Sequence, residues 1–175
     1  VTELKKTTEI DITERIFVSG ASVKWSIKKY WEDTYKGSTS KILEKTTGSQ
    51  ISSECKPEKY IDDDLFGYFN TGKKIGRTAP VKTNGMISIF DVGPDIDNRV
   101  RFSKKSDNHS MFEQEVSTNV FRSSWAIEVD RIGEASGKPE SDKKISLKPK
   151  EKEQRLKRFF ESIFNLWQRT QQTNS

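Results

Sequence analysis

The residues of this chain that offer chemistry are mostly cations in a row. In Phe17–Lys29, FVSGASVKWSIKK, Lys24 and Lys28 stand four apart with Lys29 beside them. On a helix, residues four apart are neighbours, and like charges there repel. Such a row is disfavoured unless an anion lies over it, so its chemistry is anion binding. Reaction chemistry finds fewer candidates. His109 is the one histidine, which leaves a Ser-His-Asp triad or a histidine metal site with at most one member; it reads as a solvated loop residue. Asp62, Asp63 and Asp64 are consecutive and lack the spaced ligands of a calcium loop. They read as an exposed turn that solvates its own charge or meets lysines of a neighbouring chain. TGKKIGRT, around Gly72 and Gly76, misses the phosphate-loop spacing and its Lys-Ser/Thr ending and reads as a basic hairpin tip. No metal or other cofactor is expected.

Composition limits what can hold these groups. The 175 residues are 33% charged and only 31% hydrophobic, with a net charge of +5. One domain with long decorations fits that length, and much of it must be loop or charged surface. The basic balance favours an anionic partner, of which nucleic acid is the commonest. A single cysteine, Cys55, excludes an internal disulfide framework and an all-cysteine zinc site. A reducing, cytoplasmic setting follows from that reading. No apolar run is long enough to span a bilayer, and no signal pattern opens the chain.

The elements that must position the cations follow from periodicity. Arg15–Val18 reads as the end of a strand, and Ser19 as the N-cap of a helix whose Val23, Ile27, Tyr30 and Trp31 form one core-facing stripe. Residues 36–59 are rich in Ser, Thr and Gly and read as a mobile insertion. Met86–Val92 has strand composition, residues 95–119 read as a polar excursion, and Trp125–Asp130 alternates with Trp125, Ile127 and Val129 inward. Residues 133–148 read as a linker. After Pro149 a second helix is expected, with Leu156, Phe159, Phe160, Ile163 and Trp167 on its apolar stripe. The order of elements suggests an α+β fold of ferredoxin-like type, with two helices on one sheet face.

Four segments in order, SGASVKWSIKK, DDDLFGYF, RTAPVKTNGMISI and MFEQEVSTNVFRSSWAIEVDRIG, resemble the DevR-type CRISPR autoregulator family, the backbone subunit of type I Cascade complexes (I-B or I-A-like) in the repeat-associated mysterious protein superfamily. The resemblance implies a modified RNA-recognition-motif palm with long insertions that polymerises along a CRISPR RNA, together with copies of itself and other Cascade subunits, and presents the spacer to target DNA. It implies binding rather than catalysis. In the family the first helix opens with a Ser-X-Gln-Ser-Leu-Lys-Arg-Ala-X-Arg type pattern whose basic positions grip the RNA backbone. Lys24 and Lys28 fall on those positions, with Ser19 and Lys29 beside them, while Ala21 and Trp25 stand where glutamine and arginine are usual. Met111 and Phe112 are the implied apolar wedge between bases. Arg77, Lys82 and Arg122 are further candidates for the RNA groove.

A guide held by its backbone keeps its bases free to pair, which calls for cations rather than base-edge readers. Two other readings compete. An endoribonuclease of the same superfamily would use His109 with Lys104 and Lys105 for acid-base work. A stand-alone RNA-recognition-motif protein would need exposed aromatics on its strands, and the aromatics here fall mostly on helix stripes. Against the family pattern, the chain is expected to lack the strand before the first helix and the strands after the second, as a fragment or with a partner supplying them.

Overall fold

The computed structural model describes residues 4–8, 14–40, 53–70, 74–91, 93, 95–101, 110–135 and 145–166. The elements run β1 (Lys6–Thr8), β2 (Glu14–Val18), α1 (Gly20–Thr34), α2 (Ile61–Leu65), β3 (Tyr68–Asn70), β4 (Ile75–Arg77), β5 (Val81–Ser88), β6 (Asp95–Arg101), β7 (Ser110–Val116), β8 (Phe121–Ile127) and α3 (Pro149–Phe164). The strands pair as a four-stranded sheet in the order β1-β2-β5-β8 and as two hairpins, β3-β4 and β6-β7. This is the expected α+β class, an antiparallel sheet with two long helices, consistent with a ferredoxin-like palm. The chain divides into two compact units, residues 1–20 with 84–124, and residues 21–83 with 125–175.

The first unit is built of strands. β2 runs antiparallel to β5 with Phe17 opposite Ile87 and Val18 opposite Met86. Gly85 has φ +94°, and a Cβ there would lie 2.2 Å from the Val18 carbonyl oxygen, so this point of β5 requires glycine. Within residues 95–119, expected as a polar excursion, Asp95–Arg101 and Ser110–Val116 pair as antiparallel strands in which Asp95 faces Val116 and Arg101 faces Ser110. The charged sequence DIDNRVR lacks the apolar alternation of a half-buried strand, and a two-stranded ribbon needs none. The Leu4 amide donates to the Glu115 carboxylate at 2.8 Å, which ties the chain's first strand to this ribbon.

The second unit holds the helices. Val23, Ile27 and Trp31 of α1 are 2%, 0% and 0% exposed, as their spacing predicts. Trp31 stacks on Phe66 at 5.1 Å, and Phe159 of α3 meets Phe66 and Trp125 edge-on. Burying each such ring removes enough apolar surface to contribute about 1.5–3 kcal/mol. In α3 the buried positions are Arg155, Phe159 and Ser162, so only Phe159 of the expected stripe is fully enclosed; Trp167 lies outside the described residues. Phe160 is therefore 52% exposed and Phe164 85% exposed, because the helix is turned to bring Arg155 inward. Val129, expected inward, is 57% exposed, since β8 ends at Ile127 and residues 129–131 form a 3-10 turn that breaks the two-residue period.

Both ends of the expected linker are clamped rather than loose. Leu147 donates its amide to the Gly133 carbonyl at 2.9 Å, Glu134 bridges Ser146, and Ile145 is 3% exposed. The end of the first insertion is likewise packed: Ser53 is buried, and a turn over residues 57–59 leads into α2. The expected hairpin around TGKKIGR is present as β3 and β4, with Tyr68 opposite Arg77; its tip at residues 71–73 lies outside the described residues.

Candidate nucleic-acid interface

The lysine row sits on α1, beginning one residue after Ser19, but its members have different fates. Lys29 is exposed, 2.7 Å from Glu32 and with Nζ 5.1 Å over the Trp25 ring. Lys24 places Nζ 5.4 Å over the Phe66 ring, and burial pulls its pKa below the ordinary lysine value. Lys28, expected on a phosphate, instead points at Asp62, Nζ to Oδ2 2.6 Å, and donates to the Ser40 hydroxyl at 3.1 Å. Its side chain is only 14% exposed, so it is a structural cation in this fold. An ion pair this enclosed is costly to break from one side. Lys28→Ala should lower unfolding free energy by about 3 kcal/mol, read from the urea midpoint at unchanged slope.

The Asp62–Asp64 run accounts for that difference. Expected as an exposed turn, these residues form α2 and are 5%, 1% and 0% exposed. Asp62 accepts from the Ser40 amide at 2.8 Å and the Ser40 hydroxyl at 2.6 Å. Asp64 meets Arg77 Nη2 through Oδ1 at 2.5 Å and Arg155 Nη1 through Oδ2 at 2.6 Å, and the Gly133 amide reaches both oxygens at 3.1 Å. Arg77 also donates to the carbonyls of Asp64, Glu134 and Arg131. Arg155 donates to the carbonyls of Pro57 and Glu58. A buried charge persists only when paired and hydrogen-bonded, and this cluster meets both conditions. Arg77, expected at an RNA groove, is 4% exposed and fully engaged here, so that expectation is corrected.

Asp63 differs from its neighbours. Its Oδ2 accepts from the Lys56 amide at 2.8 Å, while Oδ1 is buried without a hydrogen-bond partner. Burial pushes its carboxyl up from the usual value, and the neighbouring Asp62 adds to the rise. A carboxyl raised on folding favours the folded state most when protonated, and that advantage fades as pH climbs through the folded-state value. Asp63→Asn should therefore stabilise the protein at neutral pH. The gain should vanish below the unfolded carboxylate value of about 3.9, as thermal melts at stepped pH would read.

Among the other expected contacts, Lys82 is paired with Glu128, whose carboxyl is held below its usual value first by Lys82 and then by Arg131. Arg122 is exposed on β8 and lines a small recess of about 100 Å³ with Arg15, Ser88 and Ile89. Arg15 was not singled out from the sequence; it donates to the Ile89 carbonyl at 2.8 Å. Met111 and Phe112 lie on β7 opposite Val100 and Arg99; their side chains, on which the wedge expectation rests, lie outside what is described. His109, Lys104 and Lys105 lie outside the described residues.

The structure thus sets the half-buried Lys24 on one side of Trp25 on α1 and the exposed Lys29 over it, with Trp25 46% exposed. A neighbouring hollow of about 210 Å³ is bordered by Lys24, Trp25, Asp63 and Phe66. This combination of cations and a stackable ring is what single-stranded nucleic acid takes. No described helix is long and apolar enough to cross a membrane, and among the described residues no group of three His, Cys, Asp or Glu side chains is placed to hold a metal. A family model described as CRISPR-associated negative auto-regulator DevR/Csa2 matches residues 1–175. No curated protein matches the chain.

Proposed function

The chain belongs to the CRISPR-associated DevR/Csa2 family, and from that premise we propose that it is a non-catalytic subunit that binds CRISPR RNA by its backbone. Copies of it polymerise along the guide in the cytoplasm with other Cascade subunits, leaving the spacer bases free to pair with target DNA. The observation that carries this reading is the part of α1 where Lys24 and Lys29 flank an exposed Trp25. Backbone binding needs cations at phosphate spacing and aromatic faces that tolerate any base. Ser19 stands at the entry to that helix, and Arg122, with Arg15, offers a cationic point in the strand-built unit. Lys28 serves this surface indirectly, by anchoring α1 to α2 through Asp62.

The test is titration of a labelled single-stranded repeat-spacer RNA across a salt series. Each phosphate contact should contribute roughly −0.7 to the slope of log K against log salt. The same RNA incubated with the protein should keep its length. Cleavage lost on His109→Ala would instead support a processing endoribonuclease.

A further inference from the structure

The strand-built unit carries a cationic recess in which α1 has no part. Arg15 of β2, Ser88 at the end of β5 and Arg122 of β8 line it together with Ile89. These strands are neighbours in one sheet, in the order β2-β5-β8, so the sheet brings together residues far apart in the chain. Arg15 is anchored at the recess, its Nη1 donating to the Ile89 carbonyl at 2.8 Å, a bond that uses one of five guanidinium donors. Arg122 makes no hydrogen bond or ion pair among the described residues. Ser88 is 4% exposed, and its hydroxyl accepts from the Ile16 amide at 3.0 Å. That bond leaves the hydroxyl proton to give, and no acceptor for it stands among the described residues.

Two guanidinium groups beside one recess repel each other, and no carboxylate is among the residues that line it. A buried hydroxyl proton without an acceptor adds to the cost. An anion relieves both, whereas a metal ion would meet only positive charge. A planar carboxylate is already satisfied by the fork of one guanidinium. A second guanidinium and a hydroxyl call for an anion with more acceptor positions, and a tetrahedral oxyanion has them. The recess, about 100 Å³, has room for a group of that size.

We propose that this recess binds one phosphate group, held by the guanidinium groups of Arg15 and Arg122 and by the hydroxyl of Ser88. The inference deepens the RNA-binding reading and rests on it where the phosphate belongs to the guide strand. It places a phosphate contact on the sheet, apart from α1, and gives a role to Ser88 that its sequence context does not announce. A free phosphate offers the same chemistry, and the experiment separates the two sources.

The full chain is titrated with a labelled oligouridine across a salt series, and without RNA the phosphorus NMR line of inorganic phosphate is followed as protein is added. Arg122→Gln should weaken oligouridine binding roughly fivefold at 0.1 M salt and shallow the salt slope by about 0.7, at an unchanged urea midpoint. Arg122→Lys should keep the slope yet bind roughly threefold more weakly, because an ammonium lacks the bidentate fork. Ser88→Ala should lower affinity at an unchanged slope. RNA binding whose slope Arg122→Gln leaves unchanged overturns the inference and leaves the RNA-binding reading standing. Full affinity in both Arg122→Lys and Ser88→Ala also overturns it, since diffuse charge needs neither fork nor hydroxyl. Acetate that displaces phosphate at equal concentration and ionic strength marks a carboxylate site and overturns it as well. Phosphate-line broadening that Arg122→Gln removes, in a chain that binds no RNA, supports the recess as a site for free phosphate and overturns the RNA-binding reading. Binding of neither ligand overturns both.

Discussion

Asp64→Asn should lower the unfolding free energy by about 3–5 kcal/mol, the range for breaking a buried charge cluster from one side. Asp64 is 0% exposed, and its two oxygens hold Arg77 at 2.5 Å and Arg155 at 2.6 Å. The asparagine keeps the volume but leaves two enclosed guanidinium groups facing a neutral amide, half of which is a donor. Because stability totals only about 5–15 kcal/mol, the variant should be largely unfolded in moderate urea. Replacing all three residues at once, Asp64→Leu with Arg77→Met and Arg155→Met, should recover part of the loss. Recovery stays partial because the arginines also satisfy the carbonyls of Glu134, Arg131, Pro57 and Glu58. A loss below about 1 kcal/mol for Asp64→Asn, the level of an exposed pair, would contradict the role given to the cluster.

Neutralising Lys24 and Lys29 should have its largest effect on RNA rather than on folding. At 0.1 M salt each phosphate contact contributes a factor of roughly five through counterion release, so Lys24→Gln/Lys29→Gln should weaken RNA binding roughly 25-fold and shallow the salt slope by about 1.4. Lys29 is on the surface, and Lys24 has no ion pair among those of the described residues, so the urea midpoint should hardly move. Lys28→Ala should do the reverse, shifting the midpoint strongly because Lys28 is held 2.6 Å from Asp62. An unchanged salt slope in the double variant would return Lys24 and Lys29 to being an ordinary solvated helix face.

How much of this the sequence carried depends on the range of the interaction. The stripe of α1 was legible because Val23, Ile27 and Trp31 repeat with the helix. Trp125 and Ile127 were legible because β8 alternates in and out. The fate of the aspartates was not, because their partners lie 13 residues away at Arg77 and 91 residues away at Arg155. A cue was present: Asp62–Asp64 are enclosed by Ile61 and Leu65-Phe66, and a charge run inside apolar neighbours is unusual for an exposed turn. The rotation of α3 has the same origin. A reading that places every apolar residue inward gives Phe160 to the core, whereas the buried charge of Asp64 claims Arg155 instead. The β6-β7 hairpin escaped notice because β6 is charged along most of its length and β7, SMFEQEV, does not alternate cleanly, and its pairing rests on backbone hydrogen bonds that side-chain periodicity does not report.

The most direct measurement is the mass of the purified chain by size-exclusion chromatography with light scattering, alone and with a CRISPR-repeat-containing RNA, at low and high salt. A backbone subunit predicts a multi-copy particle that forms only with RNA, grows with RNA length, shrinks at high salt and fails with Lys24→Gln/Lys29→Gln. A chain that keeps one mass at low salt whatever RNA is added would contradict the account.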